Sequence, residues 1–283
     1  KIKKMPKFGE KCRLAGEDIT KGQKIFSIGN KISSHNINLI AAVGKKNILV
    51  KKKISIGFYT SGNELTEPSE HLKGTSINNS NYYSLRSLLN KPYIRGKYLG
   101  ILKDKKNIIS KSLLKNANKF NVIITTGGAS VGEEDHIVEI IEKVGKIFFW
   151  KTAIKPGRPL AIGKIKNTIV ICLPGNPVSV HLLYGMIIKP FLEYLCGNKL
   201  FIPKGVMVKT NFSMKKKNKR LEWLRVNLYE KKKDLYVNKY FKQGSGMISS
   251  MAFSDGIIEI PEDVSLVKKN DYFHYYSFKD LFD

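Results

Sequence analysis

Cysteine and arginine are scarce in this chain. Three cysteines, Cys12, Cys172 and Cys196, form no CxxC pair and no metal-like spacing. That excludes a disulfide framework and a zinc ribbon, and an odd, sparse set fits a reducing cytoplasm. Six arginines stand against 44 lysines, although the net charge is +27. A polynucleotide surface favours arginine, for its bidentate fork and its stacking. Here lysine is spread along the whole chain beside abundant Asn and Ile, so the charge reads as a solvated surface and not as a nucleic-acid patch. No apolar run follows Lys1-Ile2-Lys3-Lys4, which is therefore not a signal peptide. HExxH and P-loop motifs are missing, and His35, His71, His136, His181 and His274 form no pair at ligand spacing. The longest stretch without Asp, Glu, Lys or Arg is Asn167–Ile188, 22 residues, and Pro174-Gly175-Asn176-Pro177 interrupts it. It reads as strand, turn and helix, not as a membrane span.

What remains is an ordinary globular composition. With 283 residues, of which 42% are apolar and 10% aromatic, the chain predicts about two domains with real cores. Residues 1–52 read as a partial lobe, with a short helix capped by Ser33 or Ser34 and stopped by Gly44. From Lys53 to about residue 200 strands and helices alternate. Strands are predicted at Ile54–Tyr59, Tyr98–Leu102, Val122–Thr125, Ile147–Ile154, Leu160–Ile165 and Ile169–Leu173. Helices are predicted at Asn81–Leu89, Ile108–Ala117, Asp135–Val144 and Val178–Leu195. This grammar predicts an α/β fold with a mostly parallel, doubly wound sheet. From residue 201 to 283 five strand-like segments at Val206–Phe212, Glu222–Glu230, Leu235–Tyr240, Gly256–Ile260 and Tyr272–Phe278 are separated by turns. No helix of useful length is predicted there, and the segment reads as a small all-β, barrel-like domain.

Ligands of such sheets bind beyond the carboxyl ends of the strands. The most informative stretch is Val122-Ile123-Ile124-Thr125-Thr126-Gly127-Gly128-Ala129-Ser130-Val131-Gly132-Glu133-Glu134-Asp135, a buried strand running into a glycine loop and a helix start. Glycines admit a closely approaching ligand, and free N–H groups at a helix start suit an anion. Three acids in the first turn would repel a bare phosphate, a conflict that a divalent cation resolves. Glu64 after the first strand and Asp104 after the next are placed, like Asp135, at one edge of the sheet. Opposing cations come from Lys151 and from Lys155-Pro156-Gly157-Arg158-Pro159, where the prolines hold Lys155 and Arg158. Leu173-Pro174-Gly175-Asn176-Pro177-Val178-Ser179 is a strand-to-helix turn with Pro177 suited to the first helical turn, and Gly175 and Asn176 placed to face a ligand.

Taken together, Gly16-Glu17-Asp18-Ile19, Ser61-Gly62-Asn63-Glu64-Leu65, the glycine loop, Lys155–Pro159 and Leu173–Ser179 resemble, in order and spacing, the molybdopterin molybdenumtransferase family. This is the MoeA family, which includes the E domain of gephyrin. Glu222-Trp223-Leu224-Arg225 and Gln243-Gly244-Ser245-Gly246 extend the resemblance into the β segment. It implies insertion of molybdate into adenylylated molybdopterin with release of AMP, assisted by Mg²⁺ or a similar divalent ion. It implies catalytic roles for Glu64, Asp104, Asp135, Lys151 and Lys155, and metal ligation by Glu64, Asp104 and Asp135. Substrate binding falls by the same resemblance to Asp18, Gly127, Gly128, Ser130, Gly132, Arg158, Gly175, Asn176, Arg225 and Ser245. The implied protein is a cytoplasmic homodimer that meets molybdopterin adenylyltransferase, and binds neither nucleic acid nor membrane.

The chain departs from the family pattern at Asn63, where Asp is usual, at His136, where Tyr is common, and at Arg158, where Lys is common. It begins at Lys1, without the long preceding segment of family members, so the expectation is an N-terminally incomplete chain, either a fragment or a protein that has lost that lobe, whose residues 1–52 are the remnant of a dimerisation lobe. Two alternatives stand beside the insertase: molybdopterin adenylyltransferase, whose domain resembles residues 53–197, and a non-catalytic scaffold on the same fold.

Overall fold

The apolar runs beginning at Ile54, Val122 and Thr168 become the buried middle of a six-stranded sheet in this computed structural model, which describes residues 4–72, 74–127 and 136–283. The chain divides into two units. The smaller comprises residues 4–48 with 197–199 and carries one helix among its described residues, α1 (Ser34–Ala42), begun by a Ser33–Asn36 capping box.

The larger unit comprises residues 49–196 and 200–283. Its elements are β1 (Ile54–Ser61), β2 (Leu65–Thr66), β3 (Ile77–Asn78), α2 (Ser80–Leu88), β4 (Ile94–Leu102), α3 (Lys106–Asn116), β5 (Val122–Thr126), α4 (His136–Val144), β6 (Lys146–Trp150), β7 (Ile154–Lys155), β8 (Ala161–Ile165) and β9 (Thr168–Leu173). Then follow α5 (Pro177–Leu183), a π-helical turn over Tyr184–Ile188, α6 (Lys189–Leu195), β10 (Val206–Thr210), β11 (Met214–Lys215), β12 (Leu221–Lys231), β13 (Asp234–Lys239), α7 (Ser249–Ala252), β14 (Gly256–Ile260), β15 (Leu266–Val267), β16 (Tyr272–Ser277) and α8 (Phe278–Phe282).

The sheet order is β4-β1-β5-β9-β8-β6, parallel from β4 to β9, with β8 and β6 antiparallel. Central parallel strands are covered on both faces, which is why β5 opens on the apolar run Val122-Ile123-Ile124 and β1 is buried at every position but Ser55. Ile56, Phe58, Ile124 and Leu173 join α2 and α5 in one core, whereas Tyr59, Ile123 and Cys172 join α3 and α4 in a second. The register levels the carboxyl ends: Thr60 pairs with Thr126 and Thr126 with Leu173, while Ser61 pairs with Leu102. Cys172 also lies opposite Ala161, and Ala161 opposite Trp150. The residues after β6 and before β8 therefore reach the same rim.

In the C-terminal part β12-β13-β10-β16-β14 close on themselves through the β12–β13 pairing, around Val208, Leu224, Val226, Val237, Ile258 and Phe273. The expected α/β sheet followed by a barrel is thus the observed architecture. Among the described residues no helix is long and apolar enough to cross a membrane.

Four local expectations are corrected. Ile147–Ile154 is not one strand: Lys151 takes a left-handed φ of 71°, β6 stays in the sheet, and β7 crosses to pair with β12. β4 begins at Ile94, not Tyr98, because the exposed Arg95-Gly96-Lys97 on the sheet's edge carries no apolar signal. The helix at 178–195 is interrupted by the π-turn, which opens the ladder just before Pro190, a residue with no N–H to give and a ring that crowds the preceding turn. Finally, short helices α7 and α8 occur in the C-terminal segment, where no useful helix was predicted.

Candidate active site at the sheet's carboxyl rim

Two carboxylates flank the turn that leaves β1. Ser61 Oγ donates to Asp104 Oδ1 at 3.3 Å, Asn63 N donates to Asp104 Oδ2 at 3.2 Å, and Asp104 N donates back to Asn63 Oδ1 at 3.3 Å. Gly62 has φ +148°, and a side chain on it would collide with the Glu64 carboxylate, which folds back across the glycine. Glu64 is exposed and Asp104 half-buried. Asn63, the residue standing in place of the usual Asp, thus locks Asp104 through a reciprocal pair of hydrogen bonds.

The neighbouring wall comes from the start of α2. Asn79 caps the helix by accepting from Tyr82 N at 3.3 Å, while its Nδ2 donates to Thr60 Oγ1 at 3.1 Å. Asn81 Nδ2 donates to Gly175 O at 2.7 Å. Gly127 leaves β5 with φ +85° and donates to Leu173 O at 3.0 Å; a Cβ there would stand 2.6 Å from Ser61 O. Glycine is required at that position by both backbone angle and space. Gly175 approaches so closely that its own added Cβ would sit 3.7 Å from Gly127 Cα. Ser61, Asn63, Asp104, Gly127 and Gly175 are therefore brought together.

Two residues that sequence reasoning did not single out lie beside them. Thr126 Oγ1 and Asn81 Oδ1 are buried polar atoms with no hydrogen-bond partner among the described residues, and Thr126 is 1% exposed. Buried polar atoms normally find partners, so unfilled ones at a strand end mark a place for a polar ligand or water. Asn81 sits in the polar run Asn78-Asn79-Ser80-Asn81, where nothing in the sequence separates one amide from the next.

The cations lie along the same rim but are not loose. Lys151 N donates to Leu160 O at 3.0 Å, and its ammonium stacks 3.9 Å from the centre of the Trp150 ring. Thr152 N donates to Arg158 O at 2.9 Å and Thr152 Oγ1 to Gly157 O at 3.1 Å, fixing the loop that presents the exposed Arg158. Lys155 Nζ stands 2.8 Å from Glu222 Oε1, paired with a buried acid of the barrel.

The barrel contributes a loop, not a free charge. Arg225 is 1% exposed; its Nε donates to Ser250 Oγ at 3.1 Å, one terminal nitrogen to Trp223 O at 3.3 Å and the other to Gly244 O at 3.2 Å. Burial pulls its pKa down to about 10, which leaves it charged at neutral pH. Arg225 thus shapes the loop 243–246 from behind. That loop reaches the rim, where Ser245 O accepts from Val178 N at 3.3 Å beside Asn176.

Gly128, Ser130, Gly132 and Asp135 lie outside the described residues. Asp18 is exposed in the smaller unit. Among the described residues no three His, Cys, Asp or Glu side chains gather as a metal cluster. Glu64 and Asp104 are two acids of the set inferred from sequence, on either side of one turn.

Comparison with known proteins agrees with this construction. Residues 57–194 match the model of the probable molybdopterin binding domain, and residues 207–278 the MoeA C-terminal region (domain IV). A molybdopterin molybdenumtransferase of Haemophilus influenzae is 30% identical over 261 residues, covering 92% of this chain and 65% of that protein. Two crystal structures of a molybdopterin biosynthesis MoeA protein from Pyrococcus horikoshii superpose with TM-scores of 0.78 and 0.74, at 28% and 26% identity. They cover 93% and 92% of this chain and, in both cases, 64% of the other. The chain therefore spans a little under two thirds of the length of these relatives. With the sheet domain, the barrel and their order all matched, the chain belongs to the MoeA family of molybdopterin biosynthesis proteins.

Proposed function

We propose that this protein carries out the molybdate-insertion step of molybdenum cofactor synthesis, taking adenylylated molybdopterin and molybdate and releasing AMP. The observation that carries this reading is the gathering of Asp104 and the Ser61–Glu64 turn against Gly127 and Gly175, at a rim that also receives Lys151 and Arg158. Both substrates are anions, and the group to be cleaved is a phosphoanhydride. Gly127 and Gly175 leave the backbone bare so that the substrate's phosphates can approach. Lys151, Lys155 and Arg158 dock the anionic oxygens, with Lys155 held in place by Glu222. Thr126 Oγ1 and Asn81 Oδ1 supply unfilled hydrogen-bonding positions for the polar groups of the substrate. The oxyanion or water that attacks the anhydride phosphorus displaces AMP, and the cations neutralise charge developing on the broken bond.

The residues fit a divalent cation. A Mg²⁺ site needs one or two carboxylates, the remaining positions being filled by water and substrate phosphate. Glu64 and Asp104 satisfy that, each Asp104 oxygen accepting one hydrogen bond among the described residues and so retaining a lone pair; Asp135 is the third candidate. When bound, the ion supplies charge neutralisation at the phosphoanhydride. The reading extends to a cytoplasmic homodimer that receives its substrate from molybdopterin adenylyltransferase. The sparse cysteines, Cys12, Cys172 and Cys196, are in keeping with a reducing compartment.

The test is to mix the protein with molybdopterin–AMP, molybdate and Mg²⁺ and to measure AMP. Release that needs molybdate and drops in Glu64→Ala supports the proposal. ATP-dependent formation of the adenylate by this chain would assign it to the preceding step instead.

A further inference from the structure

We infer that the groove between α2 and the edge strand β4 docks an extended, acidic peptide segment of a partner protein, which adds a strand to the sheet. β4 ends the sheet: it pairs with β1 and, among the described residues, with no other strand. Its outer edge thus offers a row of backbone N–H and C=O groups, the feature through which sheets accept a further strand.

Beside that edge lies an open groove of about 710 Å³, with residues of α2 on one side and of β4 on the other. Its wall is aromatic. The Tyr82 ring lies 4.8 Å from Tyr83 and 4.4 Å from Tyr98, centre to centre. Tyr98 is anchored, its hydroxyl 2.9 Å from Thr60 Oγ1 and 3.2 Å from Asn79 Nδ2. Pairing of Ile56 with Gly96 and of Phe58 with Tyr98 puts Gly96 on the same face of β4 as Tyr98. The missing side chain at Gly96 leaves a notch: a Cβ there would reach ordinary contact with Leu89, 3.6 Å away. Alternate side chains of an added strand need such notches.

Charge selects the partner. Arg86 and Arg95 are two of the six arginines of the chain, and none of the residues lining the groove is acidic. Arg86 is oriented, donating to Tyr82 OH at 3.2 Å. A second copy of a chain carrying +27 would bring like charge to this groove, whereas an acidic segment is attracted and steered. The exposed strand edge favours a peptide over a small anion, since a small anion has no use for a row of backbone partners.

The experiment is a fluorescence anisotropy titration of the whole chain with a fluorescein-labelled peptide of alternating valine and glutamate. Saturable binding is expected, with amide hydrogen exchange slowed across residues 95–98 when peptide is added. Arg86→Glu and Arg95→Glu, both at exposed positions, should each weaken binding about tenfold or more. Melting curves check that the variants fold, and neither residue belongs to the rim site, so AMP release without peptide should stay at the parent rate. Equal binding of a valine–lysine peptide, unchanged exchange at β4, parent-like affinity in both variants, or displacement of the peptide by AMP would each overturn the inference. The last outcome would make the groove a small-anion site. None of these results bears on the insertase reading, which is tested with Glu64→Ala at the turn after β1.

Discussion

Lys155 Nζ and Glu222 Oε1 stand 2.8 Å apart, joining the loop after β6 to the first long strand of the barrel. The backbone pairs at the same place, Glu222 opposite Lys155 and Leu221 opposite Ile154. The rim therefore does not belong to the sheet alone: the barrel fixes the direction of one of its lysines. Glu222 is 4% exposed, so its replacement leaves Lys155 without its partner in a partly enclosed place. Glu222→Gln is expected to lower stability by about 1–3 kcal/mol in urea unfolding. It should also raise the KM for molybdopterin–AMP more than it lowers kcat, as expected for a lost docking orientation.

The two rim glycines should differ sharply. At Gly127 a methyl group would stand 2.6 Å from a backbone oxygen at φ +85°; at Gly175 its nearest neighbour would be 3.7 Å away. Gly127→Ala is expected to cost about 1–3 kcal/mol, given the strained backbone region, and to abolish most AMP release. Gly175→Ala should stay within about 1 kcal/mol of the parent in thermal unfolding. Equal melting temperatures for the two variants would contradict this geometry.

Arg225 acts through the loop it holds. Arg225→Met removes the donors that serve Ser250, Trp223 and Gly244, leaving buried acceptors unfilled. The expected loss is about 3 kcal/mol or more. Hydrogen exchange should quicken at 243–246, with Arg225→Lys intermediate between the two. A substrate-touching arginine would instead give normal exchange with weakened binding.

His181 provides a pH dependence. Burial holds its imidazole below the ordinary histidine pKa of 6.5, against a weaker opposing contact with Pro177 O. The unfolded chain takes up the proton as pH falls through about 6.5, while the folded chain resists it, so this contribution to stability is present above that pH and is lost below it. His181→Gln should flatten the fall in melting temperature between about pH 7 and about pH 5 relative to the parent. An unchanged slope would show that other groups set the acid response.

The sequence made the central strands and the rim legible because buried parallel strands are unbroken apolar runs and because strand ends in such sheets are where chains turn. Ile54–Tyr59 and Val122–Thr125 could be read directly for that reason, each strand running one or two residues further in the structure. β4 was half legible: Arg95-Gly96-Lys97 lies on an edge where no pattern is imposed. Lys151 hid a break between two sheets, since a left-handed lysine leaves no trace in composition. The burial of Arg225 was not readable either, because two of its three partners, Trp223 O and Gly244 O, are backbone atoms common to every residue. Asn81 Oδ1 and Thr126 Oγ1 stand out through what they lack, a hydrogen-bond partner among the described residues, and that is a property of packed structure alone.

The central claim is that acids and cations at one rim hold an adenylylated pterin. It is tested most directly by titrating molybdopterin–AMP with Mg²⁺ into the parent chain and into Asp104→Asn, following heat by calorimetry. The account predicts saturable binding to the parent that strengthens with Mg²⁺, and a loss of about tenfold or more in Asp104→Asn together with loss of the Mg²⁺ effect. Identical affinities and identical Mg²⁺ responses in the two proteins would contradict it.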